Sequence, residues 1–258
     1  MDNTNDLLLL SASYEGDKEK ILDLLKSGVD IETKDEQKLT PLLLATFGKH
    51  DDIVSLLLAN NANIEAKNLN GDTSLMVTAC YGITNVLVTL LGHGANIESK
   101  NMYHYTPLIN ASLNGHKNII VELLNHNANI NATTAFNNTS LHVAASKGNK
   151  DVIVELLNRK ASLVMKNKHN DTPYDIAVKL KHSRDIILLL KHSIDNIVED
   201  TVEYNKTLAE RFTCSICYEN EKKIMFNCGH STCNNCSTKI SHCSECKVLI
   251  KQKTIMFI

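Results

Sequence analysis

Paired leucines recur along the chain at a fixed step. Leu57-Leu58 is followed by Leu90-Leu91, Leu123-Leu124, Leu156-Leu157 and Leu189-Leu190, each pair 33 residues beyond the last. In segments such as DVIVELLN the apolar residues fall three and four apart, which gathers them on one face of a helix. A shorter apolar segment, such as LLLATF or LHVAAS, precedes each of these. Polar stretches such as ANIEAKNLNGD separate one pair of segments from the next. The pattern predicts a mostly α fold, built from pairs of short helices joined by extended polar connections.

Other positions share the step. Thr40-Pro41 recurs as Thr73-Ser74, Thr106-Pro107, Thr139-Ser140 and Thr172-Pro173, and Ile31 as Ile64, Ile97, Ile130 and Leu163. Thr caps a helix N-terminus with its hydroxyl, and Pro fits the first helical turn, so each pair marks a helix start. Gly16, Gly82, Gly115 and Gly148 fall where the first helix of a pair should end, with Lys49 and Lys181 in the same place. Gly28, Asn61, Gly94 and Asn127 fall where the second should end. Gly and Asn both tolerate the left-handed backbone of a helix C-terminus. This explains some of the 29 asparagines.

These residues resemble the ankyrin repeat, with its TPLH, GH and LLxxGAxxN signatures. Thr139-Ser140-Leu141-His142 with Ala144-Ala145 is the best copy. The resemblance implies a solenoid of helix pairs over residues 1–195, about six repeats in all. Those within 35–166 are well formed and the outer ones degenerate, as caps facing water should be. Leu7-Leu8 stands in the first repeat for Thr-Pro, and Asp175 in the last for the His. The family binds partner proteins through its loop tips and its concave inner-helix face. The tips here carry Tyr103, Tyr105 and Phe136, exposed aromatics suited to anchoring a substrate or to packing between neighbouring loops.

The C-terminal part has different chemistry. Seven of the eight cysteines lie between 214 and 246. Without a secretory context, clustered Cys-x2-Cys pairs point to metal and away from a disulfide framework. Cys214, Cys217, Cys228, His230, Cys233, Cys236, Cys243 and Cys246 supply thiolate and imidazole donors for two tetrahedral Zn2+ ions. Eight ligands close both sites, which leaves no position for a catalytic water. A segment this short cannot build a sufficient core, so zinc must supply much of its folding energy, about 10–16 kcal/mol per structural site.

Order and spacing resemble the C3HC4 RING finger, with His as the fourth ligand. The resemblance implies a small zinc-stabilised α+β domain over 213–258, entered through a linker helix at 196–212. It also implies cross-brace pairing: Cys214, Cys217, Cys233 and Cys236 on one ion, Cys228, His230, Cys243 and Cys246 on the other. RING fingers bind a ubiquitin-charged E2 enzyme and hold its thioester ready for transfer, with no covalent intermediate. Ile216 and Ile240 match the family's apolar E2 contacts. Lys247 stands at the basic position that bridges E2 and ubiquitin, usually Arg, whose planar fork makes several hydrogen bonds at once. Ser244 replaces a frequent proline. The last residues, Lys247 to Ile258, are apolar and β-prone, similar to the tail of RING fingers in inhibitor-of-apoptosis proteins. There the tail builds a homodimer and a near-terminal aromatic, here Phe257, touches the ubiquitin held by the other protomer. Completion of the domain's own core is the alternative role for the tail.

Charge adds exclusions. A formal net charge of -2 gives no basic field for nucleic acid or an anionic membrane. The N-terminal apolar run Leu7–Leu10 is too short for a signal-peptide core, and no stretch is long enough to span a bilayer. A cytoplasmic protein is expected, with a nuclear location left open. Cys80, in a repeat helix, reads as a buried free thiol. The expectation is a RING-type E3 ubiquitin ligase whose repeats recruit substrate; the alternative is a non-catalytic ankyrin adaptor with a structural zinc module.

Overall fold

The computed structural model describes residues 4–194, 224–226, 231–232 and 253–255. The chain divides into two units, Met1–Ser193 and Ile194–Ile258. The first holds α1 (Thr4–Glu15), α2 (Lys18–Lys26), α3 (Pro41–Phe47), α4 (Asp51–Ala59), α5 (Ser74–Tyr81), α6 (Thr84–Gly92), α7 (Pro107–Asn114), α8 (Lys117–Asn125), α9 (Ser140–Lys147), α10 (Lys150–Asn158) and α11 (Pro173–Lys179). A further helical run, α12, covers 184–194. The odd-numbered helices stack on one another from α1 to α11, and α4, α6, α8 and α10 form a second row behind them.

The 33-residue step is the period of this stack. Leu57, Leu90, Leu123 and Leu156 are wholly buried between successive helices of the second row. Leu43, Met76, Ile109 and His142 occupy one equivalent position in α3, α5, α7 and α9, all of them fully buried. Thr40, Thr106, Thr139 and Thr172 cap their helices, each hydroxyl accepting from the backbone N–H three residues on. In α5 the pattern fails: the Thr73 and Ser74 hydroxyls are buried without a hydrogen-bond partner.

The inner-helix ends are left-handed throughout. Gly16, Gly82, Gly115 and Gly148 have φ between +68° and +80°, and Lys49 and Lys181 adopt the same conformation at 63° and 55°. The next repeat decides which residue stands there. His50 Nε2 bonds the Tyr14 carbonyl at 3.0 Å, His116 that of Cys80 at 3.0 Å and His182 that of Ser146 at 2.9 Å. Each imidazole thereby lies over a glycine, and a Cβ at Gly82 would meet His116 Nδ1 at 2.8 Å. Lys49 precedes the repeat where Ile83 replaces the His, so nothing forces glycine there. The second-helix ends at Gly28, Asn61, Gly94 and Asn127 are left-handed too, as expected.

Polar side chains tie the connections together. The carboxylates of Glu32, Glu65 and Glu98 accept from the backbone N–H of Asn63, Asn96 and Asn129 in the following repeat, each at 2.7 Å. The Asn63, Asn96 and Asn129 side chains accept from the backbone two residues on. Asparagine is thus used as a turn builder as well as a helix terminator.

Within the second unit, β1 (Ile224–Phe226) pairs antiparallel with β2 (Ser231–Thr232) and with β3 (Lys253–Ile255), in the order β2-β1-β3. Ile224 stands opposite both Thr232 and Ile255. The β-prone tail therefore forms a strand that pairs within its own chain. The expected linker helix at 196–212, the eight zinc ligands, Ile216, Ile240, Lys247 and Phe257 lie outside the described residues.

Candidate functional site: a groove between loop tips and inner helices

The loop tips are built by side chains that mimic turns. Asn68 Oδ1 accepts from the N–H of Asn70 and Asp72, both at 2.9 Å. Asn101 Oδ1 does the same for Tyr103 and Tyr105 at 3.0 Å, and Thr134 Oγ1 for Phe136 and Asn138 at 3.2 Å. Each tip also bonds its neighbour: Leu69 N–H to the Gln37 carbonyl at 3.0 Å, Met102 to Asn70 at 3.1 Å, Lys168 to Phe136 at 3.0 Å. Successive tips therefore form one tied row.

All three sequence-predicted anchors stand on this row, but not together. Tyr103 is 58% exposed and contacts half-buried Tyr105 edge-on, with ring centroids 6.4 Å apart. Phe136 is 61% exposed, and Lys168 Nζ lies 6.0 Å from its ring centroid. Tyr103 and Tyr105 line one cavity together, of about 280 Å³, whose other walls include Phe47, Tyr81, Cys80 and Asp72. Phe47 and Tyr81 form a second edge-on pair, 5.6 Å apart, from the last turns of α3 and α5.

Sequence reasoning missed Phe47, Tyr81 and Asp72. Apolar periodicity assigns inner-helix aromatics to the core, yet Tyr81 is 58% exposed. The available signal was a departure from the step: Asp72 and Asp171 are equivalent, whereas Cys80 stands where Lys179 does. Cys80 is half-buried, not fully buried as expected. Burial, then the nearby Asp72 charge, push its thiol up, while the Asn114 side chain acts the other way. The thiol is held protonated, which argues against a nucleophile.

A second cavity, of about 330 Å³, lies further along the stack, lined among others by His142, Lys147, Asp171 and Lys179. His142 Nδ1 accepts from the Thr139 N–H at 3.2 Å, and Nε2–H donates to the Asp171 carbonyl at 3.1 Å. The ring is neutral in that arrangement. Burial pushes the imidazole down from its ordinary value, opposed by hydrogen bonding to the Asp171 and Met165 carbonyls and by the Asp171 charge. Asp175 performs the same capping in α11, accepting from the Thr172 N–H at 2.9 Å.

Comparison with known proteins supports this architecture. A family model described as ankyrin repeats (3 copies) matches residues 8–101, 61–134 and 108–200. The chain belongs to the ankyrin-repeat family. Short stretches are also similar to ubiquitin ligases. The E3 ubiquitin-protein ligase MIB2 of Gallus gallus is 32% identical over 62 residues, 24% of this chain and 6% of that protein. The E3 ubiquitin-protein ligase RGLG4 of Arabidopsis thaliana is 42% identical over 45 residues, 17% of this chain and 11% of that protein. The E3 ubiquitin-protein ligase mind-bomb of Drosophila melanogaster is 31% identical over 69 residues, 25% of this chain and 6% of that protein. The ankyrin chain thus spans about a tenth or less of the length of these relatives.

For zinc, the donor set itself is the test of fit. Seven thiolates and one imidazole, with an acidic side chain at none of the eight positions, suit zinc and not a hard cation. No helix among the described residues is long and apolar enough to cross a membrane.

Proposed function

We propose that this ankyrin-repeat chain is a RING-type E3 ubiquitin ligase: the repeats capture a protein substrate, and residues 213–258 recruit a ubiquitin-charged E2. The observation that carries the reading is the ligand octet from Cys214 to Cys246 with His230 fourth. The similarity of short stretches to three E3 ubiquitin-protein ligases supports it. Cys214, Cys217, Cys233 and Cys236 would hold one Zn2+, and Cys228, His230, Cys243 and Cys246 the other. Bound zinc supplies cross-links that hold the fold and contributes no Lewis-acid step.

The chain's own residues then act by position. Ile216 and Ile240 provide the apolar seat for the E2. Lys247 donates toward E2 and ubiquitin together and restricts the flexible conjugate to its reactive arrangement. Lys brings one ammonium where Arg would bring a fork, so the restriction is weaker. Phe257 reaches the ubiquitin held by a second protomer in a homodimer built by the tail. Among the described residues β3 is the end strand of its sheet, so pairing with β1 leaves its other edge for such a dimer. Tyr103, Tyr105 and Phe136 are the anchors for substrate.

Ubiquitin-chain formation with a panel of E2 enzymes in the presence of zinc tests the proposal. Chain formation that slows about 10- to 100-fold with Ile216→Ala, at unchanged zinc content, is expected. Zinc binding without transfer by any E2 would make the molecule an adaptor.

A further inference from the structure

Two carboxylates at one repeat position have different surroundings. Asp171 forms an ion pair with Lys179, eight residues on in α11. At the equivalent place after Asp72, α5 has Cys80, a neutral thiol. Asp72 accepts a hydrogen bond from Asn101 Nδ2 at 2.8 Å and forms no ion pair among the described residues. Its carboxylate lines the cavity of about 280 Å³, to which no lysine or arginine contributes.

The walls of that cavity suit a cation. Tyr103 and Tyr105 form one edge-on pair from a loop tip, and Phe47 and Tyr81 the other from the inner helices. Aromatic faces attract a guanidinium or ammonium, and a carboxylate among them adds a charge-assisted hydrogen bond. Phe47 and Tyr81 also wall an adjoining cavity of about 360 Å³, lined further by Leu39, Leu44, Ile83, Tyr14 and Lys49, the last of which is not among the walls of the Asp72 cavity. A cationic side chain beside an apolar one would fill both.

We propose that the groove between the tip at Tyr103–Tyr105 and helices α3 and α5 binds an extended segment of a partner protein through an arginine or lysine, which pairs with Asp72. The inference rests on the reading of the repeats as the capture surface, and not on ligase activity. The Asp171–Lys179 pair neutralises the same position at the far end of the stack, which confines the cation site to the earlier repeats.

Binding of short peptide libraries to the intact chain, followed by fluorescence anisotropy, tests this. The libraries hold arginine, lysine, glutamate or norleucine at a fixed central position and are random elsewhere. The arginine or lysine library should bind about tenfold or more tightly than the other two. Asp72→Asn should abolish that preference while leaving the thermal transition in place, because Asn138 occupies the same repeat position and accepts the same hydrogen bond from Asn167 at 2.9 Å. Cys80→Lys should also abolish it, by supplying the internal cation that Asp171 has. Equal affinity for all libraries, preference for glutamate, or a cation preference that survives in folded Asp72→Asn would overturn the proposal. Ubiquitin transfer is not read in this assay, so its result is separable from that of the ligase reading.

Discussion

Ser74→Pro should stabilise the repeats, against the usual effect of placing proline in a helix. Ser74 is the first residue of α5 and is fully buried, and its hydroxyl has no hydrogen-bond partner. A buried hydroxyl left unpaired costs about 1–3 kcal/mol. Proline has no such group. It also limits the unfolded chain, worth about 0.4–1 kcal/mol where the native backbone already suits it. The backbone does suit it: Thr73 is extended at φ -84°, ψ 168°, as a residue before proline prefers, and Pro41, Pro107 and Pro173 stand at equivalent positions. The N–H lost is one a first helical residue does not use. Allowing for imperfect packing of the larger ring, a gain of about 1–2 kcal/mol is expected, or about 2–8 °C in Tm for a unit of this size. Thermal unfolding followed by circular dichroism reads it directly. An unchanged or lowered Tm would mean that the Ser74 hydroxyl is satisfied or that α5 does not begin where the threonine step puts it.

Three further outcomes follow from the same structure. His142→Gln should cost about 2 kcal/mol at neutral pH, the sum of one cap and one inter-repeat hydrogen bond, read from denaturant midpoints. Because the folded value of His142 is lowered, its contribution is full above the unfolded value of about 6.5 and is lost as pH falls through the folded one, so the gap between wild type and variant should narrow in acid. Lys181→Gly should stabilise by about 0.5–1 kcal/mol, the relief of a left-handed lysine less the extra entropy of an unfolded glycine. A strong chelator should release two zinc ions and abolish ubiquitin transfer while leaving the helical signal of the repeats intact; loss of that signal would mean that zinc also holds the repeats.

The repeat fold was legible because its determinants are local and recur. The threonine caps, the left-handed glycines and asparagines, and the buried leucines each satisfy a requirement of one helix end or one face, and the stack imposes the same requirement every 33 residues. Lys49 and Lys181 looked like breaks in the glycine pattern, yet they keep its backbone. What demands glycine at 16, 82 and 148 is the ring of the following His, which a single repeat does not reveal. The failed cap at Thr73 was equally invisible, since the residue type matches its siblings and only the hydroxyl geometry differs. At the candidate site, the loop aromatics were legible because a tip has little core to bury them in. Phe47 and Tyr81 were not, because helical periodicity cannot tell whether the last turn of an inner helix faces the next repeat or the groove. The zinc ligands are an expectation from donor type and spacing alone, and they lie outside the described residues.

Ubiquitin transfer is decided most directly by mixing the 258-residue chain with zinc, ATP, ubiquitin, E1 and a panel of E2 enzymes, and following chain formation for wild type and Ile216→Ala. A ligase should form chains with at least one E2, and Ile216→Ala should slow them about 10- to 100-fold, as expected for removing a well-buried apolar contact, with zinc content unchanged. No transfer with any E2 by a zinc-loaded chain, or transfer indifferent to Ile216, would contradict the assignment.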